Sequence, residues 1–399
     1  MLVNIHHIAT DGWSMQIIVE ELLALYRQQS SHQQQPLPPL PIQYADFACW
    51  QPQQLETDAA QKAKQYWLSY LSGELPVLDV PTDYPRPALK SFDGDSVCWQ
   101  WNSNRLEQLN QLAGRYQTTL FGCLTALVSL LLHHHSGQDD VLLGYPVANR
   151  THPDIEPLVG FFVNTLVHRS QIAPELTFDA YLKQVAHNLT LHQQHQMTPF
   201  DGLVDALDCE RDPSRTPLFD VMIVLQNIEH RSMDMEGVNI QPITLAPRAS
   251  QFDLTFQFAV QSEGLALELI FNTSLYRADT MQQWLGHLDA LLDSCLTKPV
   301  TPVRQLSLIN TASLSQLLFD FNPSRSPVPE MTIGEAFHHQ ALQQPKALAL
   351  VSDDIPISYR QLDHQSNALA FYLMEFYNSQ PIAMLMSRST RMIEVMLAI

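Results

Sequence analysis

Residues 6–12 of the sequence are His-His-Ile-Ala-Thr-Asp-Gly, and they decide how the rest of the chain is interpreted. The apolar residues around the two histidines predict a short strand over residues 2–8, and the Asp-Gly pair predicts a turn into the amphipathic helix that follows. An imidazole at a strand end is held at a fixed place and can accept or donate a proton near neutral pH. The stretch therefore predicts a proton-handling or charge-stabilising group just before a turn.

The residues of this stretch have different expected roles. His6 and His7 are neighbours in the predicted strand, so their side chains point to opposite faces and one metal ion is not expected to bind both. A packed or surface pair of histidines without catalytic meaning is the alternative. Asp11 can cap the next helix or pair with a cation, and Arg150 and Arg169 are both candidate partners.

Outward from this stretch, strand and helix patterns alternate over about three hundred residues, which predicts a large α/β body. The expected helices are 44–72, 104–115, 118–135, 177–195 and 278–297. The expected strands are 97–101, 140–146, 159–169, 218–226, 252–261 and 265–271.

The last part of the chain predicts a second domain. Residues 323–331 are rich in Pro and Ser and are expected to form a linker. Beyond them the patterns predict a helix at 332–343, a strand at 347–351, a helix at 358–374 and a strand at 382–386. The first residues look like the middle of a domain and the last stop inside an apolar helical pattern, so both ends look like cuts through a longer protein.

Composition limits the possible partners. The 399 residues contain 22 Lys and Arg against 41 Asp and Glu, a net charge of −19. This balance argues against a general nucleic-acid partner and against docking on anionic lipid. The five cysteines form no C-x-x-C pair, which predicts reduced thiols in a cytoplasmic protein. No run of about 18 apolar residues occurs, so no membrane span is expected.

The sequence resembles a known family at several points. Residues 6–14, HHIATDGWS, resemble the H-H-x-x-x-D-G signature of condensation domains from nonribosomal peptide synthetases. Four further segments resemble that family in the family's own order: Tyr44–Trp50, Val159–Leu166 running on to Arg169, His195–Phe200, and Ser214–Val221 with Gln226-Asn227. Residues 332–337 and 357–370 resemble the opening of an adenylation domain, which usually follows condensation in an elongation module.

The resemblance implies an α/β fold like that of chloramphenicol acetyltransferase, with two lobes and a tunnel between them. Residues 1–322 would be the condensation domain, with 1–90 the remainder of an incomplete first lobe and 91–322 the second lobe. Residues 332–399 would be the truncated start of an adenylate-forming domain. The missing part of the first lobe predicts that the chain by itself is an incomplete enzyme.

The resemblance also implies a reaction. It is peptide-bond formation between two thioesters carried on 4'-phosphopantetheine arms, which upstream and downstream carrier proteins present. No cofactor or metal would be bound directly. The positions that carry over are His7 as the catalytic residue, His6, Asp11 and Gly12 as its support, and Asn164, Arg169 and Gln226 as tunnel or structural residues.

Other interpretations stay open within this resemblance. Trp13-Ser14-Met15 resembles the subtype that couples an L-configured donor to an L-acceptor. An epimerization domain of the same superfamily would use the same histidine signature. A non-catalytic platform that organises carrier and adenylation domains is the alternative from a different functional class.

Overall fold

The computed structural model describes residues 3–31, 36–209, 212–226, 248–322, 330–352, 355–377 and 380–399. The chain forms two compact units, Met1–Gln316 and Leu317–Ile399. Most of the predicted linker, residues 323–329, lies outside the described residues.

The helices of the first unit follow the apolar periodicity closely. They are α1 (Gly12–Ser31), α2 (Tyr44–Leu55), α3 (Asp58–Tyr70), α4 (Ser103–Arg115), α5 (Leu120–Ser136), α6 (Phe178–Gln194), α7 (Phe200–Leu207), α8 (Ala278–Thr297) and α9 (Thr311–Ser315). The single helix expected at 44–72 is two helices, because Thr57 is extended and caps α3 by accepting the Ala60 N–H.

The strands form one mixed sheet. They are β1 (Gly94–Asn102), β2 (Asp140–Val147), β3 (Asn164–Gln171), β4 (Val221–Gln226), β5 (Leu254–Gln261) and β6 (Gly264–Asn272). Their order is β1-β6-β5-β4-β2-β3, and β4 runs parallel to both of its neighbours while the other pairs are antiparallel. The last residue of β2, Val147, lies opposite the first residue of β3, Asn164. This register brings the segments that leave and enter the two strands to one end of the sheet.

The core of the unit is built around α5. Every residue from Gly122 to His133 is buried, and α5 packs against α4, α6, α8 and the sheet. No single described helix is long and apolar enough to cross a membrane; only α4 and α5 taken together pass, and they are bent by 99°. The apolar length of α5 is accounted for by its place in the core.

In the first unit, one expected strand does not form and another begins later than the sequence predicted. Described residues of the stretch 2–8 form no strand, and His7–Ala9 is a 3-10 turn in which the His6 imidazole accepts the Ile8 N–H. A strand requires a neighbour to take up its backbone groups, and none of the described segments pairs with this one. The strand expected from residue 159 begins only at Asn164, since side chains bind the backbone before it.

The second unit is a small α/β arrangement. It contains α10 (Ile333–Gln343), a hairpin of β7 (Leu348–Ser352) and β8 (Ile355–Ser358), α11 (Tyr359–Met374) and α12 (Thr390–Ala398). Two helices start with a capping box, Thr332 with Glu335 and Ser358 with Gln361. The expected strand at 382–386 does not form, and these residues belong to none of the described helices or strands.

Polar side chains are buried beside the sheet. His168 on β3 is fully buried, and its Nε2 lies 3.0 Å from the Ser170 hydroxyl, which also contacts the Tyr181 hydroxyl at 2.8 Å. Burial lowers the pKa of His168 from its ordinary 6.5 to about 4. The folded unit therefore holds this imidazole neutral in mildly acidic solution, whereas the unfolded chain protonates it.

We expect acid to destabilise the first unit through His168. The stability linked to the neutral imidazole is present above pH 6.5 and is lost as the pH falls toward 4, by an amount on the order of 3 kcal/mol. His168→Gln should therefore flatten the dependence of the unfolding free energy on pH between 7 and about 4. Tryptophan fluorescence during urea unfolding measures this, because all six tryptophans lie in the first unit.

The exposed His187 offers the matched control. His187→Gln removes a histidine from the same unit without removing a buried one, so its unfolding free energy should follow the wild-type curve. A His168→Gln variant that follows the wild-type curve as well would contradict the assignment.

Candidate active site

The histidine stretch begins at the surface, but Asp11 near its end and Ser14 just after it are buried. His6 and His7 are exposed, whereas Asp11 and Ser14 are 3% and 0% exposed. The His7 ring meets the Phe161 ring edge to face, with centroids 5.3 Å apart and an interplanar angle of 87°. The stretch is thus anchored at one end and presents an imidazole at the other.

Asp11 is the first anchor. Its carboxylate accepts the Ser14 N–H at 2.8 Å, which caps α1, and the Phe162 N–H at 3.0 Å. It also pairs with the Arg150 guanidinium at 3.2 Å. Burial opposes ionisation of the carboxyl, but these hydrogen bonds and the charge of Arg150 outweigh it and hold the pKa of Asp11 below its ordinary 3.8. Asp11 is therefore a charged structural anchor.

Of the two arginines that the sequence left open, Arg150 is the one that pairs with Asp11. Its Nη1 donates to three backbone carbonyl oxygens, of Ile155 at 2.6 Å, Glu156 at 3.1 Å and Leu158 at 2.8 Å. Burial lowers the pKa of Arg150 despite the nearby Asp11, but a guanidinium starts so high that it stays protonated at physiological pH. One permanent cation thus fixes both the histidine stretch and the turn at 155–158.

Ser14 joins the histidine stretch to the segment before β3 through its uncharged hydroxyl. Its hydroxyl donates to the Gly160 carbonyl at 2.9 Å and accepts from the Gly160 N–H at 3.1 Å and the Arg150 Nη2 at 2.8 Å. One donor and two acceptor sites are the whole capacity of a hydroxyl. Trp13 adds a bond from its indole N–H to the Glu156 carbonyl at 3.0 Å.

The stretch at 44–50 packs against residues 155–162. Phe47, Ile155, Leu158 and Phe162 form a small core of their own, with Ile42 and Tyr44 against it. A Cβ at Gly160 would lie 2.1 Å from the Tyr44 ring, so only glycine allows the ring to come this close. Two segments that the sequence singled out separately are therefore in contact.

Asn164 links the turn to the segment at 195–200. Its amide nitrogen donates to the carbonyl oxygens of Gln196 at 2.8 Å and Thr198 at 2.7 Å, and its oxygen accepts the Phe200 N–H at 3.1 Å. The side chain thus holds the start of β3 against the start of α7. The structure places Asn164 in a hydrogen-bonded clamp between these two elements.

Arg169 and Gln226 lie elsewhere in the unit. Arg169 pairs with Asp140 at 2.7 Å and donates to the carbonyl oxygens of Ser72 at 2.7 Å and Glu74 at 2.9 Å. It therefore fastens the chain after α3 to the far end of β2. Gln226 is the last residue of β4, opposite Ala259 of β5, and the Asn227 beside it lies outside the described residues.

A cavity elsewhere in the first unit does not include the histidine stretch. It has a volume of about 1090 Å³ and lies between residues 71–78, the end of α7 and residues 212–220. None of residues 6–14 lines it. Among the described residues, no group of three or more His, Cys, Asp or Glu side chains could hold a metal ion.

Comparisons with known proteins identify a family for the part of the chain that contains this site. A family model described as the condensation domain matches residues 1–318. This chain belongs to the condensation-domain family. The matched residues end within two positions of the boundary between the two compact units, at Gln316.

Known synthetases match the condensation domain and the second unit together, and two of them serve as examples. Tyrocidine synthase 3 of Brevibacillus parabrevis is 36% identical over 401 residues, which cover 100% of this chain and 6% of the relative. Malpinin synthetase of Mortierella alpina is 35% identical over 403 residues, which cover 100% of this chain and 5% of the relative. The chain thus spans only a small part of these relatives.

Solved structures share the fold of this condensation domain. A four-domain nonribosomal peptide synthetase, holo-AB3403 bound to AMP and glycine, matches with a TM-score of 0.73 and 22% identity over 94% of this chain and 29% of its own. The X-domain from teicoplanin biosynthesis matches with a TM-score of 0.68 and 21% identity over 76% of this chain and 71% of its own. The expectation of a condensation-domain fold with mixed helices and strands is confirmed.

Sequence reasoning missed three residues that build this site. Ser14, Tyr44 and Phe161 all lie inside stretches that resemble the family, but nothing in their residue type marks them for a role. Their partners are more than a hundred residues away along the chain. Only the fold brings each of them to its contact.

We expect Asp11→Ala to lower the unfolding free energy of the condensation domain by about 3–5 kcal/mol, because it leaves the buried Arg150 without its counter-charge. Asp11→Asn should cost less, about 1–3 kcal/mol, since an amide oxygen can still accept the Ser14 N–H and cap α1. Urea unfolding followed by tryptophan fluorescence at neutral pH measures both.

The pH dependence provides a second readout. Because the pKa of Asp11 is lowered, the stability it supplies is present above about pH 4 and is lost as the pH falls below 3.8. The difference in unfolding free energy between wild type and Asp11→Asn should therefore become smaller in acid. Asp79→Asn, at an exposed position outside the helices and strands, is the matched control and should stay within about 0.5 kcal/mol of wild type. Equal losses for both asparagine variants would rule out the anchor.

Proposed function

We propose that this condensation domain forms a peptide bond between two carrier-bound aminoacyl or peptidyl thioesters in nonribosomal peptide biosynthesis, with His7 as its catalytic residue. The observation that carries the proposal is the exposed His7 imidazole on a loop whose following residues, Asp11 and Ser14, are buried and tied to Arg150. Such a loop can hold a reacting group in place without covering it.

The proposed step is an acyl transfer. The amine nitrogen of the acceptor attacks the carbonyl carbon of the donor thioester, the C–S bond breaks, the nitrogen loses a proton, and the donor arm leaves as a thiol. An α-amine with a pKa near 8 is partly neutral at pH 7, so His7 can serve either by taking the proton or by orienting the amine and stabilising the tetrahedral intermediate. Gly12, at the start of α1, would direct its N–H toward the same centre.

The reactants in this proposal arrive on 4'-phosphopantetheine arms. Upstream and downstream carrier proteins present the arms, which belong to the substrates and not to the condensation domain. Residues 13–15, Trp-Ser-Met, support an L-configured donor and an L-acceptor. The five free cysteine thiols support a reducing, cytoplasmic setting.

Two alternatives share the same site. An epimerization domain would move a proton at the α-carbon of a single carrier-bound residue and would form no amide. A platform module would bind carrier and adenylation domains without chemistry. The described contacts around His7 suit all three, so the reaction itself has to be measured.

His7→Ala should lower peptide transfer at least about a hundredfold in the protein that carries this chain, because it removes the group that handles the proton or the developing charge. Single-turnover transfer between a loaded donor carrier and a loaded acceptor carrier measures the effect. His6→Ala is the matched control. The His6 imidazole accepts a local bond from the Ile8 N–H, so its removal should affect folding yield more than transfer.

The products distinguish the alternatives. A change in the configuration of a single carrier-bound residue without a new amide would support epimerization instead. Equal transfer by wild type and His7→Ala would refute the catalytic assignment, and no transfer or epimerization by either would favour the platform.

We further propose that the second unit is the first part of an adenylation domain. Its capping boxes at Thr332 and Ser358 start the two helices that carry the matching stretches. The alignment with tyrocidine synthase 3 continues through all of these residues. The coding sequence should continue in frame past Ile399 into a phosphate loop rich in Gly, Ser and Thr. A stop codon or an unrelated domain at that point would contradict the proposal.

A further inference from the structure

The turn before β3, residues 160–162, is held by side chains that bind its backbone N–H and carbonyl groups. The Ser14 hydroxyl binds the N–H and the carbonyl of Gly160 at 3.1 and 2.9 Å. The Tyr44 hydroxyl donates to the Phe161 carbonyl at 3.0 Å. Two polar groups of Gly160 and one of Phe161 are therefore fixed by residues far away in the sequence, and the backbone at this point has little freedom to rotate.

Phe162, the residue after Phe161, is fixed as well. The Phe162 N–H donates to Asp11 at 3.0 Å, and the Phe162 ring is 2% exposed in the small core, 4.6 Å from the Phe47 ring. The Arg150 guanidinium lies 4.2 Å from the centroid of the same ring. Phe161 is thus the middle residue of a clamped turn whose neighbours on both sides cannot move independently.

The Phe161 side chain points away from that core. It is 40% exposed, and its ring makes the edge-to-face contact with His7. Within the described residues, no hydrogen bond reaches either nitrogen of the His7 ring. The ring contact is therefore the interaction that restrains the direction of the imidazole, whereas in many active sites a hydrogen bond to one ring nitrogen does this.

We propose that Phe161 is a positioning residue for His7. The clamped turn carries the Phe161 ring, and that ring sets the orientation of the imidazole. An aromatic contact occupies neither ring nitrogen, so both stay available to the amine and the thioester. This inference rests on the proposed function for its effect on the reaction, but the ring contact itself can be measured without any reaction.

The test compares two substitutions at Phe161 with a matched control. Phe161→Leu removes the ring, and Phe161→Tyr keeps it. Phe92→Leu makes the same change at an aromatic residue that is 60% exposed and precedes β1, at the opposite edge of the sheet from β3. Near-ultraviolet circular dichroism checks that each variant is folded.

The first readout is the nuclear magnetic resonance signal of the His7 ring protons in the histidine-labelled chain, assigned with His7→Ala. A neighbouring aromatic ring shifts these signals, so Phe161→Leu should move them, while Phe161→Tyr and Phe92→Leu should not. Unmoved signals in folded Phe161→Leu would overturn the inference, even if His7→Ala abolishes transfer.

The second readout is transfer between loaded carriers. Phe161→Leu should lower kcat about three- to tenfold, the range expected for one edge-to-face aromatic contact, with KM for both carriers within about twofold of wild type. Phe161→Tyr should recover most of the rate. A raised KM with unchanged kcat would make Phe161 a substrate contact and would overturn its positioning role. If the signals move but His7→Ala transfers normally, the proposed function fails while the contact between the Phe161 and His7 rings stands.

Discussion

A buried guanidinium organises this site. The Arg150 side chain is 2% exposed and cannot lose its proton, and its two Nη groups find acceptors inside the protein, whereas its buried Nε has none among the described residues. The acceptors come from the turn at 155–158, from Asp11 and from Ser14. A shift of any one of these elements would leave a charge without a partner in a place that water does not reach. The constraint therefore acts on the histidine stretch and on the turn together.

The sheet transmits that constraint. Arg150 follows β2 by three residues, and Asn164 begins β3 directly opposite the last residue of β2. Their pairing fixes where the two connecting segments leave the sheet, about 5 Å apart. Asn164 then extends the arrangement to the start of α7 through its amide. Segments separated by up to about 190 residues are thereby held at one end of the sheet by a short series of hydrogen bonds.

The sequence predicted the regular elements well and the connections poorly. Helix α8 has the expected bounds, 278–297, because its apolar residues repeat at helical spacing and decide its structure locally. The strand expected at 2–8 was wrong, and so was the start of β3 at 159, because distant side chains and missing strand partners decide those segments. For the same reason the sequence offered Arg150 and Arg169 as partners of Asp11 without choosing. Both arginines prove to be buried in ion pairs, and only three-dimensional contacts distinguish them.

The buried and the exposed residues of the site have different roles. Groups that must stay charged or fully hydrogen-bonded, Asp11 and Ser14, are buried, where such bonds are strong and water does not compete. His7 and Phe161 remain partly or wholly in contact with solvent, where a reactant can reach them. A loop made this way does not need its own hydrophobic contacts to keep its shape. Buried hydrogen bonds of Asp11 and Ser14 fix the geometry of the loop, so the face that carries His7 can stay exposed to solvent without becoming mobile.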